Sequence, residues 1–350
     1  MAKIKTTFQN IHYNRQKANI CLFGVLRLVE FFYLGIINFK NFLYEKNILS
    51  EEKTNANVIC IGNLTTGGVG KTPVVISLAN KISKNENVAI ISRGYKAKLN
   101  NKNPNIIKDL DGIKFKDGNI CGDEPYQTAK KTNKNVVVIT CVNRKKAIDE
   151  AISKGCRTVI LDDGFSNRKV KKDRTIIVID SKMRFGNNHL LPLGPLREPV
   201  GELKRADSVI LVNKGDENID DALNWIKKIF NKKISICNMV PKRIYNLSTK
   251  ADIITSKKEK AIAFCAIGQS GQFFDFAKKF YDIKKEIPFD DHHKYSKNDI
   301  KTLIKEAKQL NCTVFLTTQK DEAKLKGLLD ETKGFSFNVL ELDIEIKELN

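Results

Sequence analysis

Lys71 and Thr72 close a glycine-rich run, Thr65-Thr66-Gly67-Gly68-Val69-Gly70, and these residue types in this order suit a nucleoside triphosphate. Glycines let backbone N–H groups converge on phosphate oxygens, and a helix N-terminus behind them adds a favourable field. Lys71 can reach the β- and γ-phosphates, and the Thr72 hydroxyl can ligate Mg²⁺. The context agrees: the apolar run 58–61 reads as a strand, and residues 74–82 carry apolar side chains at helical spacing. Pro73 suits a first helical turn, where its missing N–H costs nothing. One position departs from the usual pattern. Thr65 stands where a glycine is expected, five residues before Gly70.

Two adjacent carboxylates, Asp162 and Asp163, end another apolar run about 90 residues after Lys71. Open α/β sheets bind ligands outside the carboxyl ends of their strands, and there an aspartate of a P-loop enzyme holds Mg²⁺ directly or through water. Neighbouring strand residues point to opposite faces, so one of the pair is expected at the metal and the other in a supporting bond. Asp123, in Gly122-Asp123-Glu124-Pro125, is a candidate general base for an acceptor hydroxyl, with Glu124 as an alternative metal ligand. By composition alone the same four residues are a polar turn. Phe289-Asp290-Asp291-His292-His293 holds two of the four histidines and could bind metal or tune a carboxylate. No Cys/His cluster accompanies it, which argues against a zinc site. The glycine- and proline-rich segment 184–200 carries Arg197 and Glu198, and its arginines could grip a phosphate bidentately.

Residues this far apart need a scaffold that gathers strand ends. Apolar, β-branched runs begin at Val58, Val88, Val136, Thr158, Arg174 and Ser208, with helical patterns such as 143–154 between them. Such alternation predicts a parallel sheet covered on both faces. A Lys/Asn-rich stretch before Gly122 reads as a polar connection. Near Met239 the pattern changes. Residues 238–248 read as an extended connector, and 260–268, 273–280 and 312–321 read as strand, helix and strand of a second α/β unit. The period-two segment 335–346 could pair back with the connector as a two-stranded hinge.

A chain of 350 residues has room for two domains, and 41% hydrophobic with 29% charged residues is a globular composition. Eight scattered cysteines without a C-x-x-C pair predict free thiols in a reducing compartment. The net charge of +21 points to anionic partners, although lysines spread along the whole chain fit a simply lysine-rich surface equally well. No nucleic-acid-binding motif is present, so no nucleic acid is expected as a partner. Residues 1–29 hold five basic residues and no acid, and residues 20–44 are strongly apolar yet include Arg27, Glu30 and Lys40. At about 100° per residue, Arg27, Glu30, Asn38, Asn41 and Glu45 form one stripe with Lys40 opposite. A spanning helix wants about 20 apolar residues with few charges. This pattern predicts a helix lying in the membrane interface; the alternative is a buried core helix. No small-residue cleavage site follows, so a secretory signal is not expected.

In chain order, GNLTTGGVGKTP, SRGY, GDEP, DDGF, RFGNNHLLPLGPLREP, DHHKY and TTQKD resemble one family, the tetraacyldisaccharide 4'-kinases of lipid A biosynthesis. The resemblance covers residues 58–321, and the apolar helix before it looks like the family's membrane anchor. It implies an α/β fold: a P-loop-type parallel sheet sandwiched by helices, plus a smaller α/β/α domain on a two-stranded linker. The implied divisions are 1–48 for the membrane-interface region, 49–238 for the catalytic domain, and 239–350 for the linker strands and smaller domain. The implied reaction moves the ATP γ-phosphate, with Mg²⁺, to the 4'-hydroxyl of a lipid disaccharide 1-phosphate. It would run at the inner-leaflet surface, on the cytoplasmic face of the inner membrane. Carried over, Asp123 resembles the catalytic base and His292, or else His293, its tuning partner, brought in by closure of the smaller domain. Lys71 and the loop from Thr65 to Thr72 would hold the nucleotide. Thr72, Asp162, Asp163 and Glu198 resemble the metal side, and Arg93, Tyr95, Arg197 and His293 substrate contacts. The family's loop also lacks the first glycine. Two departures stand out: Gln319 replaces a more usual glutamate, and Phe165-Ser166-Asn167 a more usual Leu-Gln-His. The rival reading is a membrane-associated P-loop ATPase of the partition type, whose signature lysine would stand at Thr66.

Overall fold

The structure, a computed structural model, describes residues 11–13, 20–94, 97–115, 118–213, 219–254, 258–268, 270–290, 293–325, 327–329 and 332–348. The chain forms two compact units, one of Met1–Asn213, Asn218–Cys237 and Ile346–Asn350, the other of Lys214–Glu217 and Asn238–Glu345.

In the first unit, α1 (Ile20–Glu45) precedes β1 (Asn57–Gly62), α2 (Lys71–Ile82), β2 (Val88–Ser92), β3 (Asn105–Asp109) and β4 (Gly112–Ile113). Next come α3 (Gly118–Cys121), α4 (Asp123–Lys131), β5 (Val136–Thr140), α5 (Arg144–Ser153), β6 (Thr158–Asp162) and β7 (Arg174–Asp180). A 3-10 helix (Val200–Arg205), β8 (Ser208–Asn213) and α6 (Ile219–Lys227) complete it. The strand order is β8-β7-β1-β6-β2-β5-β3-β4. From β8 to β5 every pair is parallel. The near-continuous Val/Ile runs follow from this, because a parallel sheet under helices is buried on both faces. Two apolar clusters fill the unit, one around β7, β8 and α6, the other around β2, β5, β6 and α5.

The expected polar connection instead contains β3 and β4, an antiparallel pair that closes the sheet edge against β5. Edge strands are short and charged, so this one looked like a loop. Its Lys108 points inward and donates to the Thr132 and Asn133 carbonyls (2.6 and 2.8 Å), capping the C-terminal end of α4.

The second unit contains β10 (Lys260–Cys265), α7 (Ser270–Phe280), β11 (Asp282–Pro288), α8 (Lys297–Gln309), β12 (Val314–Thr318) and α9 (Gln319–Leu325). Two long strands, β9 (Lys233–Asn246) and β13 (Ser336–Glu348), each begin in one unit and end in the other. The strand order here is β11-β10-β12-β13-β9. Phe264 sits at the centre of its core, edge-on to Phe289, Tyr295, Phe315 and Phe337.

α1 is not a core helix. Val25, Leu28, Phe31, Phe32, Ile36 and Phe39 on it are each more than half exposed, from 59% at Leu28 to 69% at Phe31. The side it buries carries Leu26, Glu30, Ile37 and Asn41. The expected stripe is therefore shifted. Glu30 and Asn41 turn inward, Arg27, Asn38 and Glu45 stay exposed at its border, and Lys40 flanks the docked side instead of opposing it.

Candidate active site

β1 delivers the glycine-rich loop and α2 receives it, with Lys71 as the first helical residue. Gly67 (φ 109°) and Gly70 (φ 94°) take left-handed backbone that other residues avoid. A Cβ on Gly70 would also stand 3.1 Å from Val212 Cγ1. Gly70→Ala should therefore raise the KM for ATP about five- to thirtyfold, from strain of about 1–2 kcal/mol, measured by steady-state kinetics. Thr65 has no such need. It is buried and bridges Leu196 in extended pairing, which is why the usual glycine is dispensable there.

The loop rests on the segment that ends in Arg197. Thr66 N–H donates to Pro195 O (2.7 Å) and Arg197 N–H to Leu64 O (2.6 Å). The Arg197 guanidinium then turns back to grip Asp163 with two bonds (2.8 and 2.9 Å), and it also donates to the Asn63 carbonyl oxygen (3.2 Å) and side-chain amide oxygen. Lys71 Nζ donates to the same Asn63 Oδ1 (2.8 Å) and lies 3.6 Å from Asp163 Oδ1. Asp163 reaches this position because its backbone adopts φ 59° just past the end of β6. A Cβ on Gly62 would come within 2.5 Å of Phe165, so the bare glycine is what lets this turn lie against β1.

The two neighbouring carboxyls are electrostatically opposite. Burial works against ionising Asp163, but the Arg197 hydrogen bonds and the Lys71, Arg197 and Arg144 charges prevail and hold it at about 2. For Asp162 burial prevails, aided by Asp163 and Glu124 against Lys71, and pushes it up to about 6. A supporting bond on one aspartate and an uncompensated carboxyl on the other is the arrangement a cation would complete.

Asp123 and Glu124 are exposed residues of the first turn of α4, which packs against α2. The Glu124 charge is felt by Asp162, so this helix start faces the β6 end. Arg93 is exposed just past β2, close enough to Arg144 for their charges to interact. Glu198 lies deeper than the two aspartates. It is 1% exposed and its carboxylate lies between Lys40 (3.4 Å) and Arg205 (3.5 Å). Among the described residues no group of three or more His, Cys, Asp or Glu could hold a metal, so Asp162, Asp163 and Glu198 do not form a ligand triad. In the second unit His293 stacks on Phe289, and its Nε2 lies 3.1 Å from Asp299 Oδ2, in the capping box of α8. Tyr95, Asp291 and His292 lie outside the described residues.

Two site residues escaped the sequence reading. Asn63 is buried at 1% and joins Lys71 to Arg197; its only signal was being the first polar residue after β1. Arg144 opens α5, is 3% exposed, and donates to Cys141 O (2.7 Å) and Asp162 O (3.3 Å). In a lysine-rich helix start it was indistinguishable from a surface charge.

Comparison with known proteins places this arrangement. The profile of the LpxK family, tetraacyldisaccharide-1-P 4'-kinase, matches residues 22–350. The tetraacyldisaccharide 4'-kinase of Halothermothrix orenii is 32% identical over 345 residues, covering 92% of this chain and 88% of that one. The enzyme of that name from Aquifex aeolicus is 34% identical over 323 residues, covering 91% and 95%. A crystal structure of Aquifex aeolicus LpxK in complex with ATP superposes with a TM-score of 0.71 at 30% identity, covering 93% of this chain and 95% of that one. A match that runs through both units and the phosphate loop between α1 and β13 leaves one assignment: the chain belongs to the tetraacyldisaccharide-1-P 4'-kinase family.

Proposed function

We propose that this protein transfers the γ-phosphate of ATP to the 4'-hydroxyl of a tetraacyldisaccharide 1-phosphate. The observation that carries the reading is the Lys71–Asn63–Arg197–Asp163 network beneath a phosphate loop, in a chain matched along its length by that family. ATP would lay its phosphates on the backbone N–H groups from Gly67 to Thr72, with Lys71 leaving Asn63 for a γ-phosphate oxygen. Asp123 would take the proton of the sugar hydroxyl as its oxygen bonds to phosphorus and ADP leaves.

Mg²⁺ fits the donor set. Thr72 and Asp162 offer hard oxygens, and Mg²⁺ is normally held by one or two carboxylates together with phosphates and water. Bound there, it would offset charge on the transferring phosphoryl group. Arg93 and Tyr95 are proposed lipid-phosphate contacts. His292, or else His293, is the proposed tuning partner of Asp123 on the strength of the family's motif alone.

α1 supports a position at the inner leaflet. It is long and apolar enough to cross a bilayer, yet it is joined to the first unit from Glu30 to Glu45. A spanning pose would drag that unit into hydrocarbon, so an in-plane pose fits better. Each exposed Phe or Ile gains about 1.5–3 kcal/mol on full burial. The double variant Phe32→Glu/Ile36→Glu should thus lose at least about tenfold in binding to anionic vesicles, measured by co-sedimentation, with an unchanged melting midpoint.

The direct test uses γ-labelled ATP, Mg²⁺ and detergent-dispersed tetraacyldisaccharide 1-phosphate. Label should appear in the lipid. ATP hydrolysis without labelled lipid would sink this reading and favour the partition-type ATPase.

A further inference from the structure

The inward side of α1 carries chemistry that an anchor does not need. Glu30 is 5% exposed on a mostly apolar helix and accepts from Leu190 N–H (2.7 Å), with Arg27 Nη1 at 2.6 Å and His189 Nδ1 at 3.2 Å. One turn on, the Tyr33 hydroxyl donates to the Arg197 carbonyl (3.1 Å). Lys40 Nζ lies 3.4 Å from both Glu198 Oε1 and Ser166 O. Arg197 and Glu198 are consecutive, and Ser166 follows Asp163 by three residues. α1 therefore grips the backbone on either side of the Arg197–Asp163 pair. Arg205 spans the same gap from the other side, donating to Phe165 O (3.3 Å) and lying 3.5 Å from Glu198 Oε2.

We infer that α1 is a wall of the catalytic centre as well as a membrane element, with Tyr33 and Lys40 as positioning residues that hold Arg197 against Asp163. The inference rests on reading this site as the phosphoryl-transfer site. Its physical basis is reach. The guanidinium of Arg197 can meet Asp163 and Asn63 together only while its backbone is held, and two of the holding contacts come from a helix distant in sequence. Lys40 bridges both segments with one ammonium, so a neutral side chain there leaves Glu198 to Arg205 alone. Membrane seating and turnover would then be coupled: whatever displaces α1 also loosens the cation pair facing the phosphates.

The test uses the full-length protein in mixed micelles with the lipid acceptor. Tyr33→Phe, Lys40→Met and Lys40→Arg are made alone, and Tyr33→Phe is repeated in an Arg197→Lys background. We expect Tyr33→Phe and Lys40→Met each to lower kcat three- to tenfold, with the KM for lipid within twofold and the melting midpoint little changed. Lys40→Arg should return kcat to within twofold of wild type. In the Arg197→Lys background, loss of the Tyr33 hydroxyl should cost less than twofold, because its effect runs through Arg197. A rise in the KM for lipid with kcat intact would overturn the inference and leave α1 an anchor. Equal losses in both backgrounds, or a Lys40→Arg variant as slow as Lys40→Met, would do the same. Wild-type protein that labels no lipid would remove the kinase reading itself, and this inference with it; active wild type with unaffected variants removes only the inference.

Discussion

Lys71→Ala is expected to lower lipid phosphorylation by at least about 10³-fold, the scale set by removing a preorganised charge from a phosphoryl-transfer centre. The ammonium is held between Asn63 and Asp163, so no rearrangement of the loop is needed to bring it to the phosphates. Its loss also leaves Asp163 to Arg197 and the Arg144 charge, and removes the larger of the two cationic influences that lower Asp162. The kcat for labelled lipid in the standard assay gives the readout. A variant within tenfold of wild type would take Lys71 out of the chemistry. Lys71→Arg should recover little, because a planar fork does not replace a compact ammonium in a site this closely bounded.

Asp123→Asn should cost about 10²- to 10⁴-fold in kcat, the usual worth of a positioned proton acceptor, with the ATP dissociation constant unchanged within about threefold. The amide keeps the size of the side chain at the start of α4 and removes its charge and its ability to take the proton. Single-turnover kinetics and direct ATP binding separate the two effects. Full activity would pass the base role to another group, and Glu124 is the nearest candidate in the chain. A loss of ATP affinity matching the loss of kcat would mean that Asp123 serves the nucleotide.

The phosphate loop, the strand ends and the alternation of strand and helix were legible in the sequence because each is local. A glycine with φ near +100°, an apolar run of a parallel strand and an amphipathic helix write their needs into neighbouring residues. The polar edge pair β3–β4 was not legible, since an edge strand has few apolar neighbours to satisfy. Asn63 and Arg144 were hidden for another reason. A buried polar residue differs from an exposed one only in its partners, which are Arg197 and Lys71 for Asn63, and the Cys141 and Asp162 carbonyls for Arg144.

The pairing of charges marks the boundary between the two. By itself the sequence singled out the groups proposed for the chemistry: Lys71, Thr72, Asp123, and the Asp162–Asp163 pair at a strand end. Only the tertiary structure decided how they are used. A left-handed turn swings Asp163 onto Arg197 and Lys71 while burial leaves Asp162 with a raised pKa, and Glu198 is drawn away to Lys40 and Arg205. Protonation and partner depend on distance through space in a low-dielectric interior, and residues 40, 163 and 197 acquire that proximity only when the chain folds.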